Sequence, residues 1–191
     1  TTLYAKWTAL PTYTISYNGN GADSGSAPAS QTKTQGQPLT LAGNTGNLAR
    51  AGFTFAGWNT QADGLGTDYA EGATFEVDAD TTLYAKWTAL PTYTISYNAN
   101  GADSGSTPAS QTKTQGQPLT LAGNTGSLAR AGFTFGGWNT QADGLGTDYA
   151  EGATFEVDAD TTLHAKWTAL PTYSISYNAN EATSGTAPAS Q

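Results

Sequence analysis

Cysteine and methionine are both absent from the 191 residues. The first absence excludes a disulfide framework and thiol chemistry. Together they leave no side chain open to the usual sulfur oxidation. There is one histidine, His164, and the same place 80 residues earlier holds Tyr84. It reads as a surface or half-buried replacement for tyrosine, not as a shared general base. One histidine without cysteine cannot build a zinc site or a Cys–His nucleophile pair. Positive charge is scarce: 7 Lys and Arg stand against 15 Asp and Glu, a net charge of −8. Without a basic patch or a basic amphipathic segment, the chain is not expected to bind nucleic acid or to insert into a membrane. No apolar run approaches the ~20 residues of a membrane span, and no signal peptide is visible. Leu, Ile and Val are sparse, whereas 5 Trp, 10 Tyr and 6 Phe supply the large apolar groups. The core is therefore expected to be aromatic.

What is present is a repeat. Thr1-Thr2-Leu3-Tyr4-Ala5-Lys6-Trp7 returns at 81–87 and, with His164 for tyrosine, at 161–167. The period is 80 residues, and residues 1–80 differ from 81–160 only at Gly19/Ala99, Ala27/Thr107, Asn47/Ser127 and Ala56/Gly136. None of these exchanges touches a large apolar residue. A repeat of this size supports one thin core, burying roughly 60–65% of the unfolded surface. The expected layout is a closing strand of a preceding repeat with its linker at 1–11, and module one at 12–87. A stiff Pro-containing linker follows at 88–91, then module two at 92–167. Residues 168–191 read as a linker and the first strand of a truncated third repeat. Since the sequence starts in mid-repeat, it reads as an internal stretch of a longer array.

Within a repeat, Thr12–Asn18 alternates strictly, with Tyr13, Ile15 and Tyr17 on one face, which predicts a half-buried strand. Residues 18–30 read as a loop. Strand is expected at 31–34, 38–41, 75–77 and 82–87. Phe53 and Phe55 alternate until Gly57 interrupts before Trp58, which predicts a bulge or a close backbone approach. Asn47–Ala51, followed by Gly52, is the one candidate for a helical turn. The expected core is Tyr13, Ile15, Tyr17, Leu39, Phe53, Phe55, Trp58, Leu83 and Trp87.

Three separated signatures carry a family resemblance. They are the Tyr-rich first strand, the Gly52-Phe53-Thr54-Phe55-Ala56-Gly57-Trp58 centre, and the closing Leu83-Tyr84-Ala85-Lys86-Trp87. In this order they resemble the Listeria–Bacteroides repeat, also known as the internalin B-repeat type. The resemblance spans Thr12–Trp87 and Thr92–Trp167. The long Gly/Ser loop at 18–30 and the Gly-rich stretch at 43–47 depart from the compact form. The resemblance implies a mostly β (α+β) fold. It would consist of tandem β-grasp-like modules, each a small mixed sheet with at most one short helix. It also implies surface modules without catalytic residues, spacing or supporting an adhesive domain.

No catalytic, cofactor-binding or metal-binding residue stands out, and no cofactor is expected. Asp78 and Asp80 sit beside an expected turn and read as solvated turn residues. The oxygen-rich loop 59–68 holds only Asp63 and Asp68 as charged groups and lacks EF-hand spacing, so an ordinary hairpin loop outweighs a calcium site. A Lys–Asn isopeptide from Lys6, Lys33, Lys86 or Lys113 would need an adjacent buried acid that the sequence does not identify. Trp58, Trp87, Tyr13, Tyr17, Tyr69 and Tyr84 could form a carbohydrate platform, but a module so poor in aliphatics needs them for its core. The expected function is a non-catalytic stalk or spacer of an extracellular, cell-surface or secreted adhesin-like bacterial protein. Its partners would be the neighbouring repeats of the same chain. The alternative is a multivalent array binding glycan or a host surface protein.

Overall fold

The alternation at 12–18 forms a strand in both copies, and the rest of each module is built around it. The computed structural model describes residues 1–181 and 183–190. The chain divides into two units, residues 1–91 and from Thr92 onward. In the first, the strands are β1 (Thr12–Asn18), β2 (Gln31–Thr34), β3 (Leu39–Thr40), β4 (Phe53–Asn59), β5 (Asp68–Tyr69), β6 (Thr74–Phe75) and β7 (Thr81–Ala89). The second repeats them as β8 (Thr92–Asn98), β9 (Gln111–Thr114), β10 (Leu119–Thr120), β11 (Phe133–Asn139), β12 (Asp148–Tyr149), β13 (Thr154–Phe155) and β14 (Thr161–Ala169).

Each module is a five-stranded mixed sheet in the order β2-β1-β7-β4-β5, with β3 and β6 forming a separate pair. The central neighbours β1 and β7 run parallel, with Ile15 level with Thr81 and Asn18 level with Tyr84. The other pairs are antiparallel. Thr88 and Ala89, placed in the linker by the sequence, lie on β7 opposite Thr54 and Phe53. Likewise Thr168 and Ala169 belong to β14. Residues 1–11 carry no regular structure, and Leu3, Tyr4 and Trp7 are exposed. Nor do residues 172–178 form a strand, although they match β1 in sequence.

The core of the first module is Ile15, Leu41, Leu48, Trp58, Phe75, Leu83 and Ala85, with Tyr17, Ala22, Leu39, Phe55, Tyr69 and Trp87 packed against it. Tyr13 and Phe53, expected in the core, are half-buried and outside this cluster. Phe53 instead lies under the Arg50 guanidinium, 4.3 Å from ring centroid to Cζ. Leu41, Leu48 and Phe75 lie in loops or very short strands, where no periodicity marks them as buried.

The helical turn expected at 47–51 does not form, and no helix occurs among the described residues. Its backbone groups are committed elsewhere. Asn47 adopts a left-handed φ of 53°. The Asn44 side chain accepts from Leu48 N at 2.7 Å and donates to Leu48 O at 2.9 Å. Ala49 N donates to Ser24 O at 3.1 Å, and Ala49 O accepts from Asp23 N at 2.8 Å. A residue bridged to a distant loop on both sides cannot also close an i to i−4 helical bond.

At Gly57 both sequence-derived expectations are met. Phe55 pairs with Trp87 and Trp58 with Ala85, so three steps on β4 oppose two on β7. This is a β-bulge, and Gly57 takes a φ of 108° to make it. A Cβ there would press into the Tyr69 carbonyl oxygen. Replacing Gly57 with Ala should therefore destabilise the first module by about 3 kcal/mol, from backbone strain plus overpacking. Ala56→Gly, which copies the residue found at 136, should cost no more than ~1 kcal/mol. Urea unfolding followed by tryptophan fluorescence checks this: only the Gly57→Ala chain should show an early transition for one module. Coincident unfolding of both modules at the wild-type midpoint would count against the bulge as a requirement.

Candidate functional site

Three polar constellations stand out, each present in both modules. The first organises the loop between β4 and β5. Asn59 is 1% exposed. Its Oδ1 accepts from Gln61 N at 2.8 Å and Gly66 N at 3.1 Å. Its Nδ2 donates to Gly64 O at 3.2 Å and Asp68 Oδ1 at 2.6 Å. The loop's inward-facing donors and acceptors thus converge on one side-chain amide. Asp63 Oδ1 accepts from Leu65 N at 3.0 Å, and Asp68 Oδ2 pairs with Lys86. The two acids considered for calcium are thus turned to separate tasks. Among the described residues no group of three or more His, Cys, Asp and Glu is placed to hold a metal.

The second constellation is an ion pair under the sheet edge. Lys33 lies opposite Tyr13 on β2, on the core face, and is 1% exposed. Its Nζ donates to Asp78 Oδ1 and, at 3.4 Å, to Thr34 O. Asp78 also accepts from Gly36 N at 3.0 Å through Oδ2. The hydrogen bond from Lys33 holds the Asp78 carboxyl below its ordinary value of 3.8. Lys113 and Asp158 repeat the arrangement. The sequence read Asp78 as a free turn residue and gave no sign of a buried lysine partner. The two lie 45 positions apart, and only the sheet brings them together.

The third is a shallow groove of about 250 Å³ lined by Asn20, Arg50, Asp63, Lys86 and Trp87. Of the aromatics considered as a carbohydrate platform, Trp58 is fully buried. Its Nε1 donates to Ala42 O at 2.8 Å. Tyr17 and Tyr69 pack on the core, and Tyr13 and Tyr84 are half-buried. Trp87 lines a groove with polar company. His164, at the Tyr84 position, is half-buried, and its Nδ1 has no partner.

These modules can now be set beside known proteins. The profile of the Listeria-Bacteroides repeat domain matches residues 13–86 and 93–166. The chain belongs to this family. Two proteins of Evansella cellulosilytica are similar over most of it. One, provisionally named a Gly-rich membrane protein, is 33% identical over 174 residues, covering 88% of this chain and 20% of that protein. The other, provisionally named a membrane protein, is 33% identical over 166 residues, covering 86% of this chain and 23% of its own length. The chain thus spans about a fifth of the length of these relatives. Among solved structures, domains 3–4 of the Streptococcal High Identity Repeats in Tandem from a cell surface protein align with 84% of this chain and 99% of theirs. The TM-score is 0.29 at 15% identity, which does not establish a shared fold. No helix among the described residues is long and apolar enough to cross a membrane.

The buried pair of this Listeria–Bacteroides repeat makes stability depend on acid. A carboxyl held below its ordinary value stabilises the fold above that value, and the contribution is lost as pH falls through the lowered one. Asp78→Asn with Asp158→Asn should therefore be less stable than wild type at pH 7, because each leaves a buried ammonium without its counter-charge. Its stability should also fall less than the wild type's as pH drops below about 4. Thermal unfolding at pH 7, 5, 4 and 2.5 reads both effects. Parallel wild-type and variant profiles would rule out the pair as the acid-sensitive element.

Proposed function

We propose that these modules are non-catalytic spacers of a bacterial surface or secreted adhesin-like protein, holding a binding domain away from the cell. The observation that carries this reading is the parallel pairing of the first and last strands. Ile15 is level with Thr81, and β7 then runs on to Ala89. Thr12 lies three residues before Ile15, so the chain crosses eleven residue steps of sheet between the start of β1 and the end of β7. At about 3.3 Å per step, each module carries the chain forward by roughly 35 Å. If the first and last strands were antiparallel neighbours, the chain would leave a module at the end where it came in.

Other features support the same reading. The copies are nearly identical, as expected where number and length matter more than individual surfaces. An acidic surface keeps such an array soluble. Relatives named as membrane proteins, several times longer than this chain, fit a spacer within a surface protein, and the family gives no catalytic residues to look for. We read the sheet as β-grasp-like, on its parallel central pair.

The test is a ladder of length. Arrays of two, four and six modules should show a maximum dimension in small-angle X-ray scattering that rises linearly, by roughly 35 Å per module. A dimension that levels off between four and six modules would remove the spacer reading.

A further inference from the structure

Cations are few enough here that their placement carries information. The first module holds three, Lys33, Arg50 and Lys86, against seven acids. Lys33 is buried in its ion pair. The remaining two line the same groove, together with Trp87 of β7. The second module repeats the set as Asn100, Arg130, Asp143, Lys166 and Trp167 around about 240 Å³. The fold gathers these groups, since Arg50 follows the 43–47 loop and Lys86 lies on β7.

Each member is positioned in a way that leaves something to offer. Trp87 Nε1 is engaged by Asn20 O at 3.0 Å and Gly19 O at 3.3 Å, and Phe55 packs edge-on at 5.7 Å. The indole is therefore pinned, and its apolar surface is what it presents. Arg50 lies over Phe53, with its Cζ 3.8 Å from where a Cβ on Gly21 would stand. Among the described residues no carboxylate comes within ion-pair distance of Arg50, whereas Lys86 is already paired with Asp68. Asp63 uses Oδ1 on Leu65 N, which leaves Oδ2 to accept.

A fixed aromatic surface, a carboxylate acceptor and an unpaired guanidinium in a shallow groove fit a sugar ring bearing an acid. The ring's CH face stacks on Trp87, a hydroxyl donates to Asp63, and the carboxylate takes the guanidinium through paired N–H donors. A densely sulfated polymer fits less well, because it would meet seven acids per module. The geometry points to one site per module for a carboxylated pyranose, a uronic or a sialic acid, beyond the spacer role.

The third repeat suggests how to close such a site. Where the first two copies have Gly21 and Gly101, it has Glu181, which adopts the same left-handed backbone at a φ of 66°. A glutamate at 21 would place its own carboxylate beside Arg50, on a left-handed backbone that side chains rarely adopt.

The experiment is a titration of the two-module chain, read through its tryptophan indole NH resonances. The ligands are a glucuronic-acid-terminated disaccharide, sialyllactose, neutral lactose and sodium acetate. Trp87 and Trp167 should shift saturably with one or both acidic sugars, and which one responds identifies the source of the carboxylate. Trp7, Trp58 and Trp138 should not move. Arg50→Gln with Arg130→Gln, and separately Gly21→Glu with Gly101→Glu, should each weaken binding about tenfold or more, since the first pair removes a charged hydrogen bond and the second sets a competing carboxylate on the guanidinium. Unmoved Trp58 and Trp138 signals in the free variants report that the core is intact, and the second pair keeps both arginines on their phenylalanines. The inference is overturned if neither acidic sugar saturates, if lactose binds as tightly, if acetate shifts the same signals equally, or if both variant pairs bind like wild type. None of these outcomes bears on the scattering ladder.

Discussion

A tryptophan three positions beyond a core-facing phenylalanine on one strand belongs, by the alternation of the pleat, on the opposite face of the sheet. Trp58 faces the core because Gly57 inserts one extra residue between it and Phe55. Much of the module follows from that one step. The indole lies over Tyr17 at 4.7 Å and edge-on to Phe55 at 5.0 Å. Its opposite number on β7 is Ala85, small enough to leave room for it. Its Nε1 holds Ala42 O, while Ala42 N donates to the Tyr17 hydroxyl at 2.9 Å. Two aromatics from different strands thereby clamp one residue of a long loop on both its N–H and its C=O. With that residue fixed, Leu41 and Leu48 can reach the core without belonging to any long element. The next residue, Asn59, then stands where it can gather the following hairpin loop.

A chain this poor in aliphatic residues cannot rely on area alone, and the loops show what is used instead. Asn and Asp side chains take the place of backbone ladders. Asn44 brackets Leu48, Asn59 organises residues 61–68, and Asp23 accepts from Ala51 N at 2.6 Å. Such side chains compete with helix formation by offering the backbone other partners. This is why residues 47–51, which read as a helical turn, are irregular, with a single bridge from Ala49 to Ser24.

The strands were legible in the sequence wherever the period of two ran for several residues. β1 and β8 match the expected span, and the interruption at Gly57 was visible as an interruption. Leu41, Leu48 and Phe75 were not legible as core, because burial in a two-residue strand or a loop leaves no periodicity. The Lys33–Asp78 pair and the Arg50–Lys86–Trp87 groove were not legible either. Each joins residues far apart in the chain, and only the parallel crossover sets their distance. The heptapeptide at 1–7 makes the same point from the other side. Its sequence is identical to 81–87, yet Leu3 is 91% exposed and Leu83 fully buried. A strand with β1 on one side and β4 on the other is specified by those partners as much as by its own residues.

The four positions that separate the first two copies show which parts of this design tolerate change. Asn47 and Ser127 both sit at left-handed φ, 53° and 55°, so the backbone shape is kept although serine tolerates it less well than asparagine. Ala56 is exposed beside the bulge, and glycine at 136 leaves Gly137 and Trp138 in place. Gly19 and Ala99 differ by one methyl, at a spot where a Cβ meets Leu48 Cδ2 at 3.1 Å. In the second module that methyl packs against the core, and Tyr97 is buried to 8% exposure where Tyr17 is only half-buried. No exchange falls on the clamp at Ala42, the bulge glycine, the Asn59 hub, the buried lysine or the groove. The first four are requirements of the fold. The groove is shared with the fold through Trp87, which packs on the core, and Asn20, which donates to Ala62 O and Ala85 O, so its sameness in both modules follows from the same structural demands.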